Sequence, residues 1–240
     1  LIEQGCVFKT NSDTEVILKL YEKEGVKSFG KLDGMFAFSI YDKTIGKVFI
    51  ARDFFGEKPL YYSHTNNGFI WASELKSIVA TLLIKPEIDT TALSLYFQLT
   101  YIPAPFTIYK YIHKLEANHY IALDCKKNSY KVVEIVQTTT QFSFQSKKEA
   151  AKVTHELVQK SVSSRSISDV SLGTFLSGGV DSSIVSLCLA QQQEKKIDTF
   201  SIGFDKKSFD DVKRRAFTKF FWVVWDYVEL DSDFHLDLSL

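Results

Sequence analysis

The run Phe175-Leu176-Ser177-Gly178-Gly179-Val180-Asp181-Ser182-Ser183 gathers the residue types that hold a phosphate. Two adjacent glycines can take backbone conformations closed to other residues and bring N–H groups close to an anion, and serine hydroxyls stand beside a helix start. The loop is not a Walker A sequence, which needs Gly, four residues and then Gly-Lys-Ser or Gly-Lys-Thr; no lysine is present to reach the outer phosphates. A glycine pair followed by an acid can also be a tight turn into a well-capped helix, because Asp and Ser are favoured near helix starts. That reading would suffice for a bare Gly-Gly, but the full string is far more specific.

Other charged candidates are weaker when taken singly. Asp13, in Ser12-Asp13-Thr14-Glu15, reads on its own as a first-turn acid stabilised by the helix dipole. Arg52, Asp53 and Lys58 form a charged cluster in a strand-to-strand turn, where such residues more often pair across the loop than catalyse; they are expected to hold Gly56-Glu57-Lys58-Pro59 in shape. Cys6, Cys125 and Cys188 are odd in number and far apart, arguing for reduced thiols and against a disulfide framework or a zinc knuckle. No histidine has a metal-ligand spacing with another His or Cys, and His155 falls in a helical pattern as a surface or packing residue.

These residues need elements to position them. Ser12 and Glu15 have capping-box spacing, and Val16, Ile17, Leu20 and Tyr21 recur at helical intervals until Gly25. Phe36, Phe38 and Ile40 alternate, Lys47 to Ala51 is a second apolar run, and Leu60 to Tyr62 and Phe69 to Ala72 flank Asn67-Gly68, predicting antiparallel strands. A helix is expected after Ser73, using Leu75, Ile78, Val79 and Leu82. Another follows Asp89 as N-cap, using Leu93, Tyr96 and Phe97, and stops at Pro103 and Pro105. His119 to Leu123 and Tyr130 to Val136 are strand-like and lead into a polar stretch, Gln137 to Ser146, where we place a domain boundary. Beyond it, Ser146 and Glu149 repeat the capping box, with Ala150, Val153 and Leu157 as one apolar face. A strand over Val170 to Leu176, the glycine loop, a helix from about Ser182 to Gln191 and a strand from Asp198 to Phe204 then make a parallel α/β unit.

Bulk properties exclude several classes. The chain has 240 residues, 45% of them hydrophobic, enough for two domains with cores of their own. Lys plus Arg and Asp plus Glu both total 29, so no basic field is available for a nucleic-acid backbone. No apolar run reaches the roughly 20 residues of a membrane-spanning helix, and the start has no signal-peptide layout. A soluble, cytoplasmic protein with neither nucleic-acid nor membrane partner is expected. The 20 Phe and 11 Tyr read as core and hairpin packing.

The glycine loop resembles the pyrophosphate loop of the N-type ATP pyrophosphatases, the group of asparagine, GMP and argininosuccinate synthetases. Upstream, Asn11-Ser12-Asp13-Thr14-Glu15-Val16-Ile17-Leu18, Leu32-Asp33-Gly34-Met35-Phe36-Ala37-Phe38 and Ala51-Arg52-Asp53 through Lys58-Pro59-Leu60-Tyr61-Tyr62 look like the glutaminase domain of asparagine synthetases. Ile108-Tyr109, Lys114-Leu115 and Leu123-Asp124 continue the likeness, which runs from about Thr10 to Asp211. GMP synthetase is excluded, its glutaminase being of another type.

The resemblance implies a partial α+β N-terminal nucleophile-type sandwich over 1–140, then a partial α/β parallel-sheet, adenine-nucleotide hydrolase-like domain over 141–240. It implies glutamine, aspartate and ATP as substrates, Mg2+ with the pyrophosphate, amidation through β-aspartyl-AMP with release of AMP and pyrophosphate, and a possible homodimer. Asp13 would bind the α-amino group of glutamine. Leu176, Ser177, Gly178, Gly179, Asp181, Ser182, Ser183 and Ile202 would bind ATP, with Leu176 and Ile202 acting through their main chains and Asp181 placing the Mg2+.

Family glutaminases use an N-terminal cysteine, which Cys6 does not match, so this chain alone is expected not to hydrolyse glutamine. After Asp211 the likeness fades, and Phe220 to Trp225 stands where the family is rich in small residues and histidine; the second phosphate-contacting loop and the family's catalytic lysine do not appear. Alternatives are a related synthetase making another amide or a β-lactam, and a non-catalytic degenerate copy.

Overall fold

The computed structural model describes residues 1–66, 68–81, 83–136, 143–192, 197–203 and 224–229. The chain divides into two compact units, Leu1–Thr140 and Gln141–Leu240. Of the residues named above, Asn67, Leu82, Gln137 to Phe142, Phe204, Asp211 and Phe220 to Val223 lie outside the described ones.

In the first unit, α1 (Asp13–Glu24) starts after Ser12 and ends at Gly25, whose φ is 61°. Ser12 Oγ accepts from the Thr14 amide at 3.2 Å. Glu15 departs from the capping box: its carboxylate reaches past Ser12 to the Thr10 hydroxyl and to the Lys9 and Thr10 amides. Those bonds, the Thr10 hydroxyl foremost, lower its pKa and fasten the incoming chain to the helix.

The strands follow as β1 (Ala37–Asp42), β2 (Lys47–Arg52), β3 (Tyr61–Thr65), β4 (Gly68–Ala72), β5 (His113–Lys114), β6 (His119–Asp124) and β7 (Ser129–Glu134). They make two antiparallel sheets, ordered β1-β2-β6-β7 and β4-β3-β5. The two hairpins of the larger sheet turn on similar chemistry. Asp42 Oδ1 accepts from the Thr44 amide, and Asp124 Oδ1 accepts from the Lys126 and Lys127 amides.

Side-chain alternation stacks the layers. Val48 and Ile50 of β2 join Leu60, Tyr62, Leu115, Ile121 and Leu123 in a core that lies between the sheets. Phe49 and Ala51, on the other face of β2, pack with Phe29, Ile135 and Tyr21 under α1. On the far face of the smaller sheet, Tyr61, Ile70 and Ala72 pack with Ile78 and Leu75 of α2 (Leu75–Ala80). The order is helix, sheet, sheet, helix, an α+β sandwich. α3 (Thr90–Leu99) begins at Asp89, whose Oδ1 accepts from the Thr91 and Ala92 amides. Its buried residue is Ala92; Tyr96 and Phe97, expected on the packed face, are 48% and 75% exposed.

In the second unit, α4 (Lys147–Ser164) is capped by Ser146 Oγ, which accepts from the Glu149 amide at 3.1 Å. β8 (Gly173–Phe175) is shorter than the predicted strand, with Val170 75% exposed ahead of it. α5 (Val180–Gln192) starts two residues before Ser182. β9 (Asp198–Gly203) and β10 (Val224–Glu229) complete a parallel sheet ordered β10-β9-β8, the end of the Phe220 to Trp225 run lying in β10. Among the described residues no helix is long and apolar enough to cross a membrane.

Candidate functional site

The glycine loop leaves the C-terminal end of β8, where an open parallel sheet presents its crevice. The Leu176 amide donates to the Phe200 carbonyl at 2.8 Å, extending the ladder one residue past the strand. Gly178 then takes φ 90°, a left-handed conformation that side chains resist. By Gly179 the chain is turning into α5, and the Ser183 amide donates to the Gly179 carbonyl at 3.2 Å.

The three serine hydroxyls converge on this turn. Ser177 Oγ lies 3.1 Å from Ser182 Oγ and accepts from the Gly179 amide at 3.4 Å. Ser182 and Ser183 both donate to the Gly179 carbonyl, at 3.2 and 2.7 Å. The structure therefore brings Ser177, Gly178, Gly179, Ser182 and Ser183 into one cup at the start of a 13-residue helix. Asp181 stands exposed on the first helical turn. Ile202 lies in β9, the neighbouring strand, near the same end of the sheet as Leu176. Chemically, this is a set of rotatable hydroxyls and main-chain amides around a helix N-terminus, with one exposed carboxylate on the first helical turn.

Asp13 belongs to the other unit, as the first residue of α1. Ser12 supplies the cap, so the Asp13 carboxylate is not used for it; Oδ1 has the Ser12 and Thr14 hydroxyls at 3.5 and 3.4 Å and is exposed.

Arg52 and Asp53 are structural, as their setting suggested. Arg52 Nε donates to the Lys58 carbonyl at 2.8 Å, Nη2 to Gly56 at 2.6 Å and Nη1 to the Leu115 carbonyl. The fully buried Asp53 carboxylate accepts from the Glu57, Lys58 and Phe36 amides. Gly56, at φ 65°, leaves no room for more: a Cβ there would meet the guanidinium carbon at 3.0 Å. The bonds that Arg52 and Asp53 make here all go to main chain, which is the work of shaping a turn.

Two residues at the floor of the loop escaped the sequence reading. Thr174 Oγ1 and Ser186 Oγ are 2.9 Å apart, and Ser186 Oγ donates to the Ser182 carbonyl at 2.8 Å. Their signal was a hydroxyl in each of two positions that pattern alone would fill with an apolar residue.

Comparison with known proteins agrees with both halves. Residues 1–134 match the glutamine amidotransferase domain family, and residues 154–218 match the asparagine synthase family. A Methanocaldococcus jannaschii sequence assigned as a second glutamine-hydrolysing asparagine synthetase is 40% identical over 222 residues, which is 91% of this chain and 42% of that one. Glutamine-hydrolysing asparagine synthetase 1 of Bacillus subtilis is 34% identical over 213 residues, 87% of this chain and 33% of that one. The chain thus spans less than half the length of these curated relatives. Among solved structures, the glutamine phosphoribosylpyrophosphate amidotransferase of B. subtilis complexed with ADP and GMP is 18% identical. It covers 79% of this chain and 39% of that one at a TM-score of 0.41, too loose to bear on the site. The chain belongs to the glutamine amidotransferase domain family through residues 1–134, and it continues into a segment similar to asparagine synthases.

Proposed function

We propose that this protein serves ATP-dependent amidation of aspartate with ammonia drawn from glutamine, and that Ser177 to Ser183 is its pyrophosphate cradle. The observation that carries the reading is the cup of hydroxyls and amides at the end of β8, made by a left-handed Gly178 and closed by Ser182 and Ser183. Attack of the aspartate β-carboxylate on the α-phosphorus of ATP forms β-aspartyl-AMP and expels pyrophosphate, whose growing charge the cup would receive. Ammonia then displaces AMP to give asparagine. The main chains of Leu176 and Ile202, at neighbouring strand ends, would flank the adenosine.

Asp181 suits Mg2+, being an exposed carboxylate at the mouth of an anion cup; the ion would neutralise the pyrophosphate oxygens. In the amidotransferase segment, Asp13 is proposed to hold the α-amino group of glutamine. Its freedom from capping duty supports this.

Two measurements test the reading. Calorimetry on this chain should show MgATP binding that Asp181→Ala weakens at least about tenfold, equivalent to ~1.4 kcal/mol. In a full-length synthetase that carries this loop, that substitution should suppress pyrophosphate release far more than glutamine hydrolysis. Normal pyrophosphate release with only a lowered melting temperature would return Asp181 to a helix-start role. Products of ADP and phosphate would refute the adenylation chemistry.

A further inference from the structure

We propose that Thr174 and Ser186 are positioning residues for the phosphate cup, an inference that rests on the ATP reading of that loop. Thr174 is the middle residue of β8, and Ser186 is 6% exposed on the buried face of α5. Hydroxyls in such places are unfavourable unless bonded, so two of them facing one another across the strand–helix contact need a reason.

The direction of the bonds supplies it. A serine hydroxyl has one hydrogen, and that of Ser186 goes to the Ser182 carbonyl at 2.8 Å. The 2.9 Å contact with Thr174 therefore has Thr174 as its donor. A one-way relay runs from the strand, through Ser186, to the carbonyl of Ser182. Ser182 is itself a wall of the cup, its Oγ 3.1 Å from Ser177 Oγ.

A bond of this kind, from Ser186 back to Ser182 four residues earlier, competes with the helix's own bonds and often bends a helix where it occurs. It ties the Ser182 main chain, from which the cup hydroxyl extends, to β8 through Thr174. Apolar residues of the same shape at both places would hold helix to strand equally well, but such contact is non-directional and leaves rotation and slide free. The hydroxyl pair removes that freedom before any ligand arrives, which is the condition for a preorganised anion site.

The test uses the full 240-residue chain, with MgATP and, separately, magnesium pyrophosphate as calorimetric ligands. Thr174→Val with Ser186→Ala replaces both partners together and should leave the melting temperature nearly unchanged, since deleting both ends of a buried hydrogen bond can be close to neutral. Affinity for both ligands should fall about tenfold. Thr174→Ser, which restores the donor, should bind like the wild type. Thr174→Val alone, with the Ser186 to Ser182 bond intact, should show a smaller loss and serves if the double variant fails to fold. Wild-type affinity in the folded double variant, or in Thr174→Val alone if the double variant fails to fold, would overturn the proposal. So would an equal loss in Thr174→Ser. Failure of the folded wild type to bind either ligand would instead remove the ATP reading and this inference with it.

Discussion

The Tyr21 hydroxyl donates to Asp42 Oδ2 at 2.9 Å, joining α1 to the turn between β1 and β2. Burial first, and then this bond, pushes the tyrosine pKa up to about 12. An unfolded tyrosine ionises near ~10, so in between the unfolded chain sheds its proton while the folded one keeps it. Stability is whole below about pH 10 and is lost as pH rises towards 12. Urea midpoints measured across this window should fall in the wild type and fall less in Tyr21→Phe. Tyr62, also pushed up to about 12 by burial, keeps part of the slope. At neutral pH Tyr21→Phe should cost about 1 kcal/mol. Equal slopes in the two proteins would show that the Tyr21 bond is not what resists ionisation.

Asp53→Ala should be severely destabilising, by about 3 kcal/mol, because it removes the buried carboxylate that accepts from the Glu57, Lys58 and Phe36 amides and leaves Arg52 without its neighbouring negative charge. MgATP affinity of the folded fraction should not change, the cup lying in the other unit. Denaturant unfolding and calorimetry on one preparation separate the two. A stable variant that has lost glutamine turnover in the enzyme would give Asp53 a chemical role instead.

At the start of α1, adjacent residues should separate by property. Ser12→Ala removes the cap and should cost about 0.5–2 kcal/mol, leaving the KM for glutamine within about twofold in the folded enzyme. Asp13→Asn should leave stability within about 1 kcal/mol and raise that KM at least about tenfold, with ammonia-dependent synthesis preserved. An unaltered KM in Asp13→Asn would confine this acid to the helix dipole.

His113 carries an acid limb. Burial lowers its pKa, with the Asp89 carboxylate partly opposing, and its ring lies 5.4 Å from that of Tyr62. The unfolded chain therefore takes up this proton first as pH falls below about 6.5, and stability is lost from there downward. His113→Phe should flatten the fall in melting temperature between about pH 6.5 and 5. An unchanged profile would place the acid sensitivity elsewhere.

What could be read from the sequence was what is locally encoded. Ser12, Asp89 and Ser146 announce their helices because a cap acts within three residues, and the strands β1, β2, β6 and β7 follow from alternating and apolar runs. The phosphate loop was legible because its residues are contiguous. Stacking was not. The apolar run of β2 says that the strand is buried, yet nothing in Lys47 to Ala51 says that Phe49 and Ala51 meet Phe29 while Val48 and Ile50 meet Leu60. β5 was missed because His113-Lys114 has no alternation and is made a strand by distant Tyr61 and Tyr62. The strand at Val170 was drawn too long, since apolar type alone does not show which residues find a ladder partner. Thr174 and Ser186 were passed over for a related reason: a small hydroxyl residue is compatible with strand and helix alike, and only the fold sets the two face to face.

The central place of β2 has a consequence in time as well as in space. Its backbone is paired to β1 on one side and β6 on the other, and its side chains are anchored in two cores. Each of its amides bonds to one neighbour or the other, so freeing the whole strand requires both ladders to part, whereas the edge strand β7 needs one ladder to loosen. In deuterated water the amides of Val48 to Ala51, with those of the equally central β6, should outlast the edge strands of the sheet, and their exchange rate would report the opening of the whole amidotransferase unit.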